Sequence, residues 1–394
     1  MTASLPRQDR IRRALELLRN ETTDKFDEVV GFTAEEFTDT ALAQRERNLI
    51  FGVVPSIVAH GSELAKPYDF LTVTMPRNNL IIVRQKDGGV KAFVNLCRHR
   101  GALLEENEKG RCRFFSCPYH RWSYDPDGKL RMVTRDATFG EIDRKEHGLI
   151  EVPCEERHGF IWVIDNAHAK IDVASWLGPE MDDILAGYEL DKLQCVRSAG
   201  FDEPTNWKIM QDAFLDGYHI QYAHPNTAGK VIHTNVMAFE DFGRHCRFIA
   251  PRKSIDRWLE EDPGDRELDR YVTETHFLLP NSTLLRQPDH FQLLTFRPDQ
   301  QDPTRSRMEQ RLMVPPLEES GLEEAHWNKR WDKNWEILLA VLHSEDFPLL
   351  RNSQRGMASA DAGDMLLGRN EVANQVFRRE TRKLLAAEAA PSTS

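Results

Sequence analysis

The sequence predicts an α+β chain: a small all-β domain followed by a larger mixed domain. Two observations predict it. Between residues 50 and about 164, short strand-like runs follow one another with turn signals between them. From about residue 198, strand-like runs alternate with helical stretches and end in a long helix. The length, 394 residues, leaves room for two or three domains with a sizeable core.

Each element has its own signal. Residues 1–45 read as an N-terminal helical segment, because Ile11, Leu15 and Leu18 recur at helical spacing. Arg7, Arg10, Arg12 and Arg13 there are interleaved with Asp9 and Glu16, and no apolar stretch follows. That describes a solvated amphipathic helix rather than a targeting peptide. Residues 46–165 form the β domain, with strands expected at 71–75, 80–83, 92–94 and 160–164. Its turns are Asp87-Gly88-Gly89 and Asp125-Pro126-Asp127-Gly128. A helix follows at 173–188. Within the second domain, 166–385, helices are expected at 206–222 and 324–355 and strands at 275–279, 292–296 and 308–314. The tail, 386–394, is small and polar and is expected to be disordered.

Composition excludes several classes. The formal charge is −11, the sequence pI is about 5.7, and no basic block stands out, so nucleic acid is not an expected partner. No apolar run approaches the ~20 residues that span a bilayer, so no membrane is expected. Of six cysteines, Cys112, Cys154, Cys195 and Cys246 are scattered without paired spacing. Reduced thiols and a cytoplasmic location are the expectation.

The chemistry starts at Cys97 and His99, then Cys117 and His120. They read C-R-H, seventeen intervening residues, and C-P-Y-H. Each pair puts one thiolate and one imidazole on a tight loop. Two such loops can hold a [2Fe-2S] cluster with both cysteines on one iron and both histidines on the other, the Rieske ligation, which raises the potential above that of an all-cysteine cluster. Structural zinc is the alternative use of two cysteines and two histidines, but its usual spacing is C-x₂₋₄-C and H-x₃₋₅-H. The flanks Asn95-Leu96-Cys97-Arg98-His99-Arg100-Gly101 and Ser116-Cys117-Pro118-Tyr119-His120-Arg121-Trp122 resemble the cluster loops of Rieske proteins. So do the Gly110-x-Cys112 stretch and the hairpin from Tyr124 to Leu130. One position departs: Arg121 stands where that family usually has glycine.

A second site lies in residues 206–225. At 100° per residue, Asp212, Asp216 and His219 fall within about 60° of one another on one helix face. Trp207, Met210, Phe214 and Tyr218 surround them, and buried carboxylates need a metal, a cation or hydrogen-bond donors. On an ideal helix His224 would point about 140° away from His219. It precedes Pro225, which disfavours helical geometry at His224 and predicts a broken helix end there. Two histidines alone are a poor metal site. The long C-terminal helix supplies a carboxylate: from its stripe Trp331, Trp335, Leu338, Leu339 and Leu342, Asp346 lies about 20° off the line and Glu345 about 80°. Asp346 is therefore the inward candidate. Two imidazoles and one carboxylate form the facial triad of non-haem Fe(II) oxygenases, with open positions for dioxygen or water. The tryptophans at 327, 331 and 335 read as core packing.

With both motifs in place, the chain resembles the oxygenase (alpha) component of Rieske non-haem iron oxygenases, the aromatic ring-hydroxylating family, over about residues 45–360. The resemblance rests on the two cluster loops, Asn206-Trp207-Lys208, Asp216-Gly217-Tyr218-His219 with His224, and Glu345-Asp346 followed by Gln354-Arg355-Gly356. It implies a catalytic domain with a curved antiparallel sheet wrapped by helices (helix-grip, START-like). It implies a mononuclear non-haem Fe(II) held by His219, His224 and Asp346. It implies that Asp216 links His219 to His120 of a neighbouring subunit in a head-to-tail homotrimer, with a beta subunit as an option. Electrons would come from NAD(P)H through a separate reductase, ferredoxin or both. Asp212 matches a position that in relatives is often Asn or Asp near the iron, so a catalytic role and a buried hydrogen-bonding role both stay open.

The implied activity is the O2-dependent hydroxylation of a small organic substrate: mono- or cis-dihydroxylation, or oxidative dealkylation. Relatives acting on quaternary ammonium compounds often carry Glu at the bridging position, so Asp216 leans toward an aromatic substrate. The pocket is expected from the helix after His224 and the sheet between residues 276 and 296, mostly apolar, with Arg286 or Asn281 as a polar anchor. The alternatives are an oxidative demethylase or monooxygenase of a quaternary ammonium or N-alkyl substrate, a Rieske electron-transfer protein, and a zinc-stabilised binding module. Electron carriers are about as long as residues 50–165 alone.

Overall fold

The computed structural model describes residues 6–261, 263–264 and 266–387. The chain divides into two compact units, one of Glu46–Trp176 with Leu185–Lys192 and the other of Met1–Arg45, Leu177–Ile184 and Leu193–Ser394. No helix among the described residues is long and apolar enough to cross a membrane.

The first unit is all-β around its loops. A five-stranded antiparallel sheet runs in the order Glu151–Val152, Val90–Val94, Asn79–Arg84, Asp69–Thr74 and Lys109–Arg111. A three-stranded sheet joins Cys154–Arg157, Phe160–Val163 and Ser56–His60. A small sheet joins Phe115–Ser116, Ser123–Tyr124 and Leu130–Met132. The continuous apolar run Leu80-Ile81-Ile82-Val83 has a physical reason. Successive side chains of a strand point to opposite faces. Leu80 and Ile82 enter a core with Leu71, Val73 and Ala92. Ile81 and Val83 enter a second core with Phe70, Phe93, Cys97, Cys117, Trp122 and Tyr124. That second core is the floor beneath the cluster loops. Gly128 closes its hairpin at φ +88°, where a Cβ would lie 2.5 Å from the Phe93 ring.

In the second unit a seven-stranded antiparallel sheet runs Gln194–Glu203, Ser306–Val314, Phe291–Pro298, Ser282–Arg286, Val272–Leu278, Cys246–Pro251 and Ala238–Asp241. The register places Phe277, Thr283, Leu294 and Gln310 in one row, and Thr275, Leu285, Gln292 and Leu312 in the next row of the same face. Helices pack on that face. Gln211 of the helix Trp207–Asp212 donates to Thr283 Oγ1 at 2.6 Å, and Phe377 of the helix Val372–Ala386 meets Phe277 at 5.4 Å. The opposite face carries buried and half-buried charges in clusters: Arg247 and Arg286 with Glu274, and Arg297 and Arg311 with Glu309. The helix Arg7–Arg19 buries Ile11 and Leu15 against Ile249 and Ala238.

Several elements differ from the expectation. After Arg7–Arg19 the N-terminal segment holds a strand, Val30–Thr33, paired with Asp364–Leu367. The helix expected at 206–222 is interrupted: Trp207–Asp212 and Ile220–Ala223 are separate. Asp216 explains the break, since its Oδ1 accepts the backbone N–H of Tyr218 at 2.7 Å and of His219 at 2.9 Å, in place of helical bonds. The helix at 173–186 is broken at Gly178, φ +73°, before Pro179. The long C-terminal helix is Glu324–Val341, a π turn over Leu342–Asp346, and Phe347–Met357. Of the expected disordered tail, 388–394 lie outside the described residues, and the preceding helix runs to Ala386.

Candidate metal centres

The two cluster loops repeat one backbone pattern. Cys97 N–H donates to Ala102 O at 2.8 Å and Gly101 N–H to Cys97 O at 3.0 Å. Cys117 N–H donates to Trp122 O at 2.8 Å and Arg121 N–H to Cys117 O at 3.0 Å. In both loops the fourth residue after the cysteine is left-handed, with φ +77° at Gly101 and +61° at Arg121. This accounts for the glycine expected at position 121, and it shows that Arg121 adopts a glycine conformation. Left-handed backbone costs an L residue about 1–2 kcal/mol.

The donor set matches its expected use. Cys97 and Cys117 are each 1% exposed, and the His99 and His120 rings lie 4.6 Å apart. Both Nδ1 atoms are buried with no hydrogen-bond partner. Buried polar atoms in native proteins have partners, so two orphaned imidazole nitrogens beside two buried thiols fit metal ligation. Burial, then the neighbouring His120 and Arg100, holds the His99 pKa below its ordinary value, which favours the neutral imidazole a metal requires. Burial raises the Cys97 thiol, against the Tyr124 hydroxyl 3.5 Å from its sulfur. Tyr124 Oη also accepts the Arg98 N–H at 2.9 Å and so ties the first loop to the sheet. His99 stacks on Trp122 at 5.0 Å. On the outer side Tyr119, 58% exposed, stacks on His120 at 3.9 Å.

In the other unit, His219, His224 and Asp346 converge. One ligand atom from each lies within 4.8 Å of the others. The helix Ile220–Ala223 ends at His224, whose φ −120°, ψ 43° is non-helical, as its place before Pro225 predicts. The break swings the second imidazole back to 5.2 Å from the first. His219 Nδ1 lies 3.0 Å from Asp216 Oδ1, which leaves its Nε2 toward the group. His224 Nδ1 lies 2.6 Å from Glu345 Oε2, and its Nε2 lies 3.1 Å from Asp346 Oδ1. Burial acts to lower the His224 pKa, but Asp346 and Glu345 outweigh it and hold it above the ordinary value. Two imidazoles and one carboxylate on one side are the donor set of a facial-triad iron.

Glu345, set aside by the helical phase, therefore touches the site. The other candidates lie elsewhere. Asp212 sends its carboxylate to Arg378 and Asn374 of the last helix and is not among the converging groups. Burial raises its pKa against the Arg378 cation. Arg286 pairs with Glu274 on the charged face of the sheet, opposite the face on which the helices Trp207–Asp212 and Val372–Ala386 pack. Asn281 is fully buried, with Nδ2 on Phe296 O at 3.0 Å. The face under Trp207–Asp212 instead carries uncharged polar groups that the sequence does not single out: Thr283, Gln292 and Gln310, with Gln211 above them.

Comparison with known proteins finds a family match for each part of the chain. The family described as the ring hydroxylating alpha subunit (catalytic domain) matches residues 190–387, and the Rieske [2Fe-2S] domain matches residues 55–143. The chain is 33% identical over 214 residues to the anthranilate 1,2-dioxygenase large subunit of Acinetobacter baylyi, covering 52% of this chain and 45% of that one. It is 32% identical over 197 residues to the carnitine monooxygenase oxygenase subunit of Acinetobacter pittii, covering 50% and 53%. The match thus spans about half the length of these curated relatives. Among solved structures, the quaternary ammonium Rieske monooxygenase CntA superposes with a TM-score of 0.77 at 21% identity, over 92% of this chain and 99% of that one. Naphthalene 1,2-dioxygenase from Rhodococcus sp. does so with 0.72 at 20%, over 98% and 100%. These two likenesses are of fold. With half its length matched by the catalytic-domain family and a Rieske domain ahead of it, the chain belongs to the ring-hydroxylating oxygenase alpha subunits.

Proposed function

We propose that this chain is the oxygenase component of a multi-component Rieske non-haem iron oxygenase that hydroxylates a small organic substrate. The observation that carries the reading is the coexistence of two donor sets in one chain. One has paired thiols and orphaned imidazoles in the β unit. The other has His219, His224 and Asp346 converging beneath the helices of the second unit. An electron carrier needs only the first, and a zinc module needs neither the second set nor the cluster-type loops.

A bound cluster supplies single electrons, and a bound mononuclear iron supplies three open positions for dioxygen. The chain's own residues do the positioning. A carboxylate only accepts hydrogen bonds, so Asp216 Oδ1 accepts from His219 Nδ1–H and fixes the tautomer with Nε2 unprotonated. Asp346, 6% exposed, brings the one anionic ligand to the buried His224 and the partly exposed His219. His120 sits at the rim of its loop under Tyr119, suited to meet a carboxylate of another subunit. We assign that role to Asp216 of a neighbour in a head-to-tail homotrimer, with a reductase or ferredoxin supplying the electrons.

The aromatic reading of the substrate follows from Asp216 and from relatives such as anthranilate 1,2-dioxygenase. A quaternary ammonium substrate is the second reading, favoured by carnitine monooxygenase subunits at similar identity. The test is oxygen uptake with NADH and a surrogate reductase across aromatic acids, aryl ethers, N-methyl and quaternary ammonium compounds, with ¹⁸O traced into product. Substrate-dependent uptake with label in the product supports the proposal. Electron transfer to external acceptors without substrate-dependent uptake, in iron-loaded protein, would contradict it.

A further inference from the structure

Two consecutive acids reach the two nitrogens of one imidazole. Asp346 Oδ1 lies 3.1 Å from His224 Nε2, and Glu345 Oε2 lies 2.6 Å from His224 Nδ1. The same Glu345 oxygen accepts the Thr227 hydroxyl at 2.5 Å. Both carboxylates can only accept; with a metal ion shared by Nε2 and Asp346, the single proton of a neutral His224 sits on Nδ1, facing Glu345. The loop after His224 is folded for this purpose. His224 O accepts the N–H of Thr227 at 3.2 Å and of Gly229 at 2.9 Å, and a Cβ on Gly229 would approach that oxygen to 2.7 Å. Thr227 is thereby turned back over its own histidine. Both acids sit in the π turn Leu342–Asp346, a distortion frequent at functional sites.

We propose that Glu345 is a positioning residue for the mononuclear centre: with Thr227 it clamps the His224 ring, as Asp216 clamps His219. Each histidine then has its own carboxylate, one from its own turn and one from the C-terminal helix. The inference rests on the reading of His219, His224 and Asp346 as iron ligands.

The test measures the affinity of mononuclear Fe(II) in the full chain, with cluster absorbance as the internal control for folding. The ferrous–nitrosyl EPR signal reports ligand geometry. Glu345→Ala should weaken iron binding about 10- to 100-fold and broaden the nitrosyl signal. Glu345→Gln, whose amide oxygen still accepts from Nδ1, should recover much of both. Thr227→Val should fall between wild type and Glu345→Ala. Iron affinity within twofold of wild type and an unchanged nitrosyl signal in Glu345→Ala would overturn the positioning role, provided His224→Ala loses its iron. If His224→Ala also keeps its iron, the ligand reading itself fails.

Discussion

Removing the cluster should loosen its two loops while leaving the sheet beneath them intact. The His99 and His120 Nδ1 atoms are buried without protein partners. A buried polar atom left unsatisfied costs about 1–3 kcal/mol, so the pair makes the closed loop conformation unfavourable by roughly 2–6 kcal/mol once no metal receives them. The rings can escape that cost only by turning out to water, which opens the loops. The reporters are the Gly101 and Arg121 amides, each bonded at 3.0 Å to the carbonyl of its own loop cysteine. Hydrogen exchange of loaded and cluster-extracted protein, followed by mass spectrometry on peptides spanning 95–104 and 115–124, measures the effect. These amides should exchange about thirtyfold to twenty-five-thousandfold faster after extraction. Amides of the strand Asn79–Arg84, buried on both faces, should keep their rates. Equal loop protection in both forms would refute the reasoning, because the orphaned nitrogens would then carry no cost.

Three further outcomes follow from the geometry. Arg121→Gly relieves about 1–2 kcal/mol of left-handed strain and returns about 0.5–1 kcal/mol to the unfolded chain, so thermal unfolding should show a net gain of up to ~1.5 kcal/mol; a loss would mean Arg121 makes a compensating contact. Burial would raise Glu309, but Arg297, Arg311 and Arg307 outweigh it and depress its pKa from 4.5 to about 2. Its contribution, about 3 kcal/mol, is therefore present above pH 4.5 and lost as pH falls toward 2; urea unfolding of Glu309→Gln should show a deficit of that size at pH 7 that begins to narrow below pH 4.5. Asp216→Asn keeps an oxygen for the Tyr218 and His219 amides, so both metals should bind, while substrate-coupled reoxidation of the reduced cluster in stopped flow slows about 10- to 100-fold; an unchanged rate would remove Asp216 from the electron path.

The legible parts of the centres are local in sequence. Each cluster loop carries its cysteine and histidine within four residues, and the departure at Arg121 marks a real backbone feature, the left-handed turn. His219 and His224 are five residues apart, and Pro225 signals the break between them. Asp346 was reachable because a helical stripe carries phase along the chain. The same phase argument does not reveal that Glu345 reaches the other nitrogen of His224, since a π turn at Leu342–Asp346 leaves no mark in the residue pattern. The amphipathic pattern predicts one helix over 206–222 because it persists through Asp216, whereas the Asp216 side chain competes for the backbone amides and ends it. Arg286 lies on the side of the sheet away from Gln211: strand alternation is visible in sequence, but which face Trp207–Asp212 covers depends on long-range register. Asp212 shared a helix face with Asp216, yet its cation, Arg378, lies 166 residues away and gives no local signal.

Counting iron and acid-labile sulfide per chain, in wild type and in the His219→Ala, His224→Ala double variant, bears most directly on the whole scheme. About three irons and two sulfides are expected in the wild type. The variant should hold about two of each, with an unaltered reduced-cluster EPR spectrum and no substrate-dependent oxygen uptake. A variant that keeps the third iron, or that turns over at the wild-type rate, would contradict a chain built around two separate metal centres.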